Sequence, residues 1–349
     1  MIETDRGAGE HEALRPRVRR NARSGARRVG RAVLLWTLGL TACAPGDRPN
    51  FLALATAGTG GVYYLIGGSM AEIWSRDLPD HVMVAEVTGG SVENLSLLMS
   101  DQVSVAFSMG TNALDAYTGS NSFEGGEPGR VLTLVALYPN VLQLASLEGG
   151  GVESLSDLVG RRVSVGAPGS GTEVGARTLL EANGIGYEDF QPQRLNFNET
   201  ANGIRDGTVD AGFWSAGPPT SSIMDLATGR EIHLVSISGD EVARTAAVDP
   251  TVRRDVIPAG AYRGQDESVE TLSTPNVLVV RADMSDELAY SLIRVLLEAQ
   301  AELSQVHPVA GRISAEYTLE VSPIPLHPAA VRYLQDQGYE VPDRLIPGS

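Results

Sequence analysis

The chain has 349 residues and a formal net charge of −16 at pH 7, with 27 basic and 43 acidic side chains. This acidic balance argues against nucleic acids and anionic lipid surfaces as partners, because both repel a negatively charged protein. The sequence contains no lysine, which excludes Schiff-base chemistry and a Walker A nucleotide site, since each needs a lysine amine.

The first 42 residues are typical of an export signal. A basic segment ends at Arg31, the apolar stretch 32–40 is too short to span a bilayer, and small residues follow it. The motif Leu40-Thr41-Ala42-Cys43 resembles the lipobox of bacterial lipoproteins, which implies cleavage before Cys43 and a lipid on its sulfur. The alternatives are a buried core helix and a chance thiol after an ordinary signal. We predict a signal peptide over 1–42, a tether over 43–50, and a periplasmic protein anchored to the membrane.

After the tether, strand-like and helix-like patterns alternate, which predicts a parallel sheet covered by helices. The elements of the first half are strand 51–56, helix 63–77, strand 82–87, helix 91–99 and strand 103–108. Those of the second half are strand 162–166, helix 172–183, strand 193–195, helix 199–206, strand 209–214, helix 219–228 and strand 232–237. Beyond them lie strand 277–281, helix 285–304 and helix 329–337.

The two runs of alternating elements predict two lobes. Segments 131–138 and 271–277 are the expected crossings between them, with hinges near 138 and 271. We therefore expect an α/β protein in which each lobe is a mostly parallel sheet flanked by helices. The predicted lobe limits are 51–137 with 272–349 for lobe 1, and 138–271 for lobe 2.

Glycine-rich turns follow predicted strands in both lobes and each precedes a helix. They lie at 58–61 and 89–90 in lobe 1 and at 166–171 in lobe 2. Backbone N–H groups at the positive end of a helix form a ready anion site, and glycines such as Gly60 and Gly61 let the backbone approach a ligand closely. The alternatives are a plain tight turn and, at Ser91, simple N-capping. We predict that the two lobes close on one small anionic molecule.

The sequence places no catalytic group. A nucleophile elbow would need glycine where Pro168 stands, a dinucleotide fingerprint would need glycine where Tyr63 stands, and the histidines have no metal-ligand spacing. We therefore expect no enzyme activity, no metal and no cofactor. Tyr138 at the predicted hinge and Trp214 at a strand end are candidates to cover a ligand's apolar part, with core packing as the alternative.

Several motifs, in order along the chain, resemble the TAXI family of solute receptors for tripartite ATP-independent periplasmic (TRAP) transporters. The matching stretches are 58–68 (GTGGVYYLIGG), 88–94 (TGGSVEN), 166–173 (GAPGSGTE), 206–213 (DGTVDAGF), 258–262 (PAGAY) and 325–338 (PLHPAAVRYLQDQG). The resemblance implies a two-lobed periplasmic binding-protein fold of type II. It also implies capture of a small organic anion, of the glutamate, glutamine, 2-oxo or dicarboxylic acid class, for a permease driven by an ion gradient.

The resemblance also implies which residues contact the ligand. They are Thr59, Gly61, Tyr63, Tyr64, Ser91, Asn94, Gly169, Ser170, Gly171 and Thr172. Where relatives usually have a Gln-Ser-Asp-like stretch, this chain has Met109-Gly110-Thr111, so Met109 marks a place where its ligand specificity differs. Two alternative functions stay open: a ligand sensor in signalling, and an enzyme on a two-lobed scaffold.

Overall fold

The computed structural model describes residues 50–348; the predicted signal peptide, the tether up to residue 49 and Cys43 lie outside the described residues. The strands are β1 (Asn50–Ala55), β2 (His81–Glu86), β3 (Val105–Met109), β4 (Val131–Leu147), β5 (Arg162–Ser164), β6 (Gln191–Gln193), β7 (Ala211–Ala216), β8 (Ile232–Val235), β9 (Arg253–Ile257) and β10 (Val269–Arg281). The α-helices are α1 (Val62–Asp77), α2 (Ser91–Met99), α3 (Gly110–Thr118), α4 (Gly171–Ala182), α5 (Phe197–Arg205), α6 (Ser221–Gly229), α7 (Gly239–Val248), α8 (Asp286–Glu298), α9 (Gln300–Val306), α10 (Ala315–Val321) and α11 (Pro328–Asp336).

The strands form one continuous sheet in the order β2-β1-β3-β10-β4-β7-β5-β6, with β8 beside β4 and β9 beside β10. In the first half of this sheet β1 pairs in parallel with β2 and β3. In the second half β5 pairs in parallel with β6 and β7. The strands β4 and β10 are antiparallel to their neighbours, because each runs back between the two halves.

The long strands β4 and β10 connect the two halves. Strand β10 pairs with β3 at one end and with β9 at the other, and β4 pairs with β7. In the middle of the two long strands Pro139 of β4 faces Pro275 of β10, next to a register irregularity. Proline lacks an N–H and so interrupts the ladder of hydrogen bonds at this point. The predicted lobe limits 137/138 and 271/272 fall within these two strands, and the division into lobes at those residues remains a prediction.

Each half has its own apolar core on both faces of the sheet. In the first half the largest core side chain is Trp74, whose Nε1 donates to the carbonyl of Leu292 at 3.0 Å and so ties α1 to α8. In the second half Phe213 and Trp214 of β7 are fully buried on opposite faces of the strand. The apolar residues that predicted these strands therefore point to both faces of the sheet and fill the cores there.

Several predicted elements differ from the structure in extent or number. The predicted helix 285–304 is two helices, α8 and α9, separated at Ala299. The helices α3, α7 and α10 and the strand β9 were not predicted. Helix α3 follows β3 without an intervening turn and consists mostly of small and polar residues, so its sequence has no turn signal before it and few large apolar residues. Within residues 50–348, none of the helices is both long and apolar enough to cross a membrane.

Candidate functional site

A small cavity lies between the two halves, at the carboxyl ends of β1, β3 and β7. Its volume is about 60 Å³. The first half contributes Ala57, Gly58, Gly61, Val62, Tyr63, Thr88, Gly89, Gly90, Ser91 and Met109, and the second half contributes Ala167, Ser170, Gly171, Thr172, Asn196, Phe197, Ser215 and Ala216. Carboxyl ends of strands are where α/β proteins bind their ligands, so this cavity is the candidate site.

Four helices begin at this cavity. The N-cap residues of α1, α2, α4 and α5 are Gly61, Gly90, Ser170 and Asn196, and all four line it. Each helix N-terminus carries a partial positive charge, from N–H groups without a partner inside the helix. The cavity therefore lies in the combined field of four positive helix ends.

Among the described residues that line the cavity, none has a charged side chain, and the carboxylate of Glu93 lies at its edge, where Oε2 accepts from the N–H of the lining residue Gly89 at 2.7 Å. Helices α1 and α2 have no side-chain cap, whereas Ser170 Oγ accepts from the N–H of Glu173 at 3.1 Å in α4. A cavity without charged lining side chains at the starts of four helices suits an anion, because the helix dipoles are fixed in place before the ligand arrives.

The two halves touch each other around the cavity. The carbonyl of Gly169 accepts from the N–H groups of Val92 and Glu93, both at 3.1 Å, and Ser221 Oγ donates to the carbonyl of Gly60 at 3.0 Å. On another side Thr111 Oγ1 donates to Asp249 Oδ2 at 2.6 Å, Asp249 being buried. The lobes in this structure are closed on each other.

Seven of the predicted ligand residues line the cavity: Gly61, Tyr63, Ser91, Met109, Ser170, Gly171 and Thr172. Three others lie at the contacts between the halves: Gly60 and Gly169, as described, and Thr59, whose Oγ1 accepts from Asn198 Nδ2 at 3.2 Å. The glycine-rich turns of the two halves thus face one another, and their role in ligand binding remains a prediction.

Four further predicted residues lie outside the cavity lining: Tyr64, Asn94, Tyr138 and Trp214. Tyr64 follows Tyr63 in α1, so its side chain points away, and it is 40% exposed. Asn94 is fully buried and holds loops together: its Nδ2 donates to the carbonyls of Thr56 and Phe107, at 2.6 and 2.9 Å. In this structure Asn94 therefore links α2 to the chain at Thr56 and Phe107 and does not line the cavity.

The aromatic candidates Tyr138 and Trp214 are also placed in the core. Both are fully buried, and Trp214 Nε1 donates to Ser222 Oγ at 3.1 Å. Phe197 lines the cavity, and its ring centre is 6.3 Å from that of Trp214. Both side chains therefore pack in the core, which is the alternative interpretation of these two residues.

Tyr63 lies at the inner end of the cavity with its phenol buried. Its oxygen accepts from Asn140 Nδ2 at 2.6 Å, and burial raises the pKa of Tyr63. The hydroxyl therefore stays protonated at neutral pH, and it keeps a hydrogen to donate.

The sequence did not indicate several polar residues in and beside the cavity. Asn196 and Ser215 line it. Asn112 and Asn140 are buried close to Gly171 and Tyr63. Within the described chain, Asn112, Asn140 Oδ1 and Ser215 Oγ have no hydrogen-bond partner. Asn196 alone had a sequence signal, because Glu199 three residues later completes a capping box.

The sequence profile of the NMT1-like family matches residues 54–338. Among solved structures, PhnD1 from Prochlorococcus marinus in complex with methylphosphonate is 10% identical with a TM-score of 0.51, over 76% of this chain and 91% of that chain. The periplasmic aliphatic sulphonate binding protein SsuA from Escherichia coli is 12% identical with a TM-score of 0.45, over 82% of this chain and 79% of that chain. The likeness is one of fold: the chain has the two-lobed α/β fold of periplasmic binding proteins, as its sequence predicted.

Proposed function

Since the chain belongs to the NMT1-like family and has the fold of periplasmic binding proteins, we propose that it is an extracytoplasmic receptor. It captures a small organic anion and delivers that anion to a membrane transporter, without catalysis. The observation that carries this proposal is the convergence of four helix N-termini on a cavity lined by uncharged residues. The TAXI-like motifs support a ligand of the glutamate, glutamine, 2-oxo or dicarboxylic acid class.

Closure of the lobes is the second part of the proposal. The glycine-rich turn at Gly169 to Thr172 seals the cavity, and β4 and β10 bend where Pro139 faces Pro275. The contacts between the lobes near the cavity are a few hydrogen bonds, so the ligand supplies the remaining free energy of closure. Small-angle scattering tests this: the radius of gyration falls when ligand is added, and superimposable curves contradict closure.

The transporter partner is proposed from the motifs. Their resemblance to the TAXI family favours a TRAP-type permease driven by an ion gradient, and the lipobox-like motif favours anchoring through a lipid on Cys43. An ATP-driven transporter is the alternative. Uptake of a radiolabelled ligand separates the two: an ionophore that collapses the ion gradient stops transport through a TRAP permease, whereas depletion of ATP at a maintained gradient stops an ATP-driven transporter.

The test of the binding function is titration calorimetry of residues 44–349 with a panel of organic anions. A specific ligand also raises the melting temperature, since at a hundredfold excess over its Kd it stabilises the folded state by about 2.7 kcal/mol. A folded protein that binds none of the anions contradicts the proposal.

A charge placed in the cavity makes the test sharper. In Ser170→Asp the new carboxylate still caps α4, because aspartate is as good an N-cap as serine, but it repels an anion in the cavity. At about 5–8 Å and an effective dielectric constant of about 20, the repulsion is about 2–3 kcal/mol, or roughly 30- to 150-fold in Kd. The matched control is Ser285→Asp at the N-cap of α8, which is exposed and outside the cavity lining; its Kd stays at the wild-type value.

A further inference from the structure

A second groove lies where the long strands β4 and β10 run side by side between the halves. It has a volume of about 740 Å³ and shares no lining residue with the candidate ligand cavity. Pro139 and Pro275, which face each other in the middle of these strands, both line it. Its lining also includes residues of β9, which belongs to predicted lobe 2, and of α10, which belongs to predicted lobe 1. We call it the hinge groove, because it crosses the point where we propose that the two strands bend.

The hinge groove is positively charged in a protein that is strongly negative. The net charge of the chain is −16, whereas the lining of the groove has two acidic residues, Asp255 and Glu320, and four arginines, Arg253, Arg254, Arg312 and Arg344. Arg254 forms an ion pair with Glu270, at 3.3 Å. Within residues 50–348, the other three arginines form no ion pair, and neither do Asp255 and Glu320. The groove therefore keeps positive charge that no acidic side chain neutralises.

Backbone carbonyls hold two of the unpaired arginines in place. Arg253 Nη1 donates to the carbonyls of Pro250 and Val252, at 2.6 and 2.8 Å. Arg344 donates through both Nη atoms to the carbonyls of residues 319, 320 and 322, at and just beyond the end of α10. These carbonyls are neutral, so they fix the positions of the guanidinium groups and leave their charge in the groove.

Arg312 is the unpaired arginine with the most donors left. Its guanidinium carbon lies 5.6 Å from the centre of the Tyr317 ring, and in the described part of the chain its side chain donates no hydrogen bond. A guanidinium has five N–H donors, and stacking on an aromatic ring restrains it without using them. Arg253 likewise keeps the N–H groups of Nε and Nη2, since only its Nη1 is engaged.

The free donors and the charge of the groove both suit an oxyanion. Three positive groups that share one groove without an acidic partner repel one another, and a multivalent anion between them removes this repulsion. The planar fork of a guanidinium also matches the oxygens of a phosphate group, with which it forms two parallel, charge-assisted hydrogen bonds. A phosphate-type anion therefore meets both the geometric and the electrostatic demand.

We propose that the hinge groove is a second anion site, which binds a small multivalent oxyanion of the phosphate class between Arg253 of β9 and Arg312 before α10. This site goes beyond the proposed receptor function and does not depend on it. An anion bound to both arginines joins predicted lobe 2 to predicted lobe 1 across Pro139 and Pro275. A phosphate group can belong to a soluble compound or to a lipid headgroup; the net charge of −16 favours the soluble source, because an anionic bilayer repels the rest of the surface.

The test is titration calorimetry of residues 44–349 with inorganic pyrophosphate, at pH 7 and constant ionic strength. The candidate ligand cavity also suits anions, so the titration is done with Ser170→Asp, whose added carboxylate repels anions from that cavity. We expect pyrophosphate to bind Ser170→Asp. Adding Arg253→Gln or Arg312→Gln raises its Kd at least about fivefold, since each removes a charge-assisted contact.

The matched control is Arg263→Gln in the same Ser170→Asp protein. Arg263 is also exposed and forms no ion pair within the described residues, its Nη1 donates to the carbonyl of Thr228 at 3.2 Å, and it lies outside the hinge groove. Its substitution removes the same charge from the protein, so the Kd stays within about twofold. Circular dichroism checks the fold of each variant, and the two groove arginines are substituted separately so that either one alone decides the result.

Four results overturn the proposal. Pyrophosphate does not bind Ser170→Asp at about 10 mM, which is weaker than any specific site needs. Pyrophosphate binds the protein with Ser170 but not Ser170→Asp, which places it in the candidate ligand cavity and leaves the receptor function standing. Arg263→Gln weakens binding as much as Arg312→Gln, which indicates general screening of the surface charge. Finally, the protein sediments with phosphatidylglycerol vesicles and Arg312→Gln abolishes this, which assigns the groove to a lipid headgroup; we expect the protein to stay in the supernatant.

Discussion

The close approach of Gly171 to the opposite lobe leads to the sharpest prediction. A Cβ at this position would lie 2.6 Å from Asn112 Oδ1, 2.6 Å from Met109 Sδ and 2.7 Å from Ser91 Oγ. These distances are about 1 Å short of van der Waals contact. Met109 is flexible and can move, but Asn112 is fully buried and Ser91 Oγ is held by a backbone N–H. Gly171→Ala therefore opposes closure of the lobes.

The magnitude follows from overpacking a closed interface, which costs about 1–3 kcal/mol. Because this cost arises in the closed form, we expect a Kd that is about 5 to 150 times larger. The ligand-free protein keeps its stability or gains up to about 1 kcal/mol, since alanine is a better helix residue than glycine. Titration calorimetry gives the Kd, and urea denaturation gives the free energy of unfolding.

The same helix offers a matched control. Gly175 lies one turn further along α4, and a Cβ there would be 3.6 Å from Met109 Cε and 3.8 Å from Ser215 Oγ, both ordinary contacts. Gly175→Ala therefore raises helix propensity in the same way, but its Kd changes less than twofold. The reasoning is refuted if Gly171→Ala binds like the wild type, or if both variants lose affinity equally.

Three further predictions concern positions away from the cavity. Asn94→Asp removes the donors to the carbonyls of Thr56 and Phe107, so urea denaturation shows a loss of about 1–3 kcal/mol; unchanged stability with lost ligand binding would instead favour the role implied by the TAXI resemblance. Burial raises the pKa of Asp115, so the folded state holds this proton more tightly than the unfolded chain. The contribution of Asp115 to stability therefore falls as pH rises above its ordinary pKa of about 3.9. Asp115→Asn removes that fall, and urea denaturation of both proteins from pH 3 to 7 shows a difference that grows with pH; a constant difference contradicts it. In the full chain, Cys43→Ser moves the protein from the membrane fraction to the soluble fraction, and retention in the membrane fraction contradicts lipid anchoring.

The alternation of strands and helices was predictable from the sequence because it depends on local periods of apolar residues. The first five predicted elements correspond to β1, α1, β2, α2 and β3, and their ends differ from the observed ones by at most two residues. The glycine-rich turns were predictable for a similar reason: a turn between a strand and a helix needs residues with little steric hindrance, and it leaves N–H groups at the helix start. These local rules indicated two lobes and an anion site.

The role of single side chains was not predictable in this way. Asn94 and Ser91 lie on the same helix and belong to one motif, yet Ser91 lines the cavity and Asn94 holds two carbonyls in the core. Trp214 is buried beneath Phe197, which the sequence did not single out. Which face of an element meets the cavity depends on how that element packs against its neighbours.

The sequence by itself therefore determined the α/β class, the repeated βα units and the positions of the glycine-rich turns, because all three follow from residues close together in the chain. Only the tertiary structure decided that four helix starts converge on one uncharged cavity, that Gly171 contacts Asn112 and Met109, and that Asn112 and Asn140 are buried near it. These contacts join residues about 30 to 140 positions apart, and no local period or propensity encodes such distances.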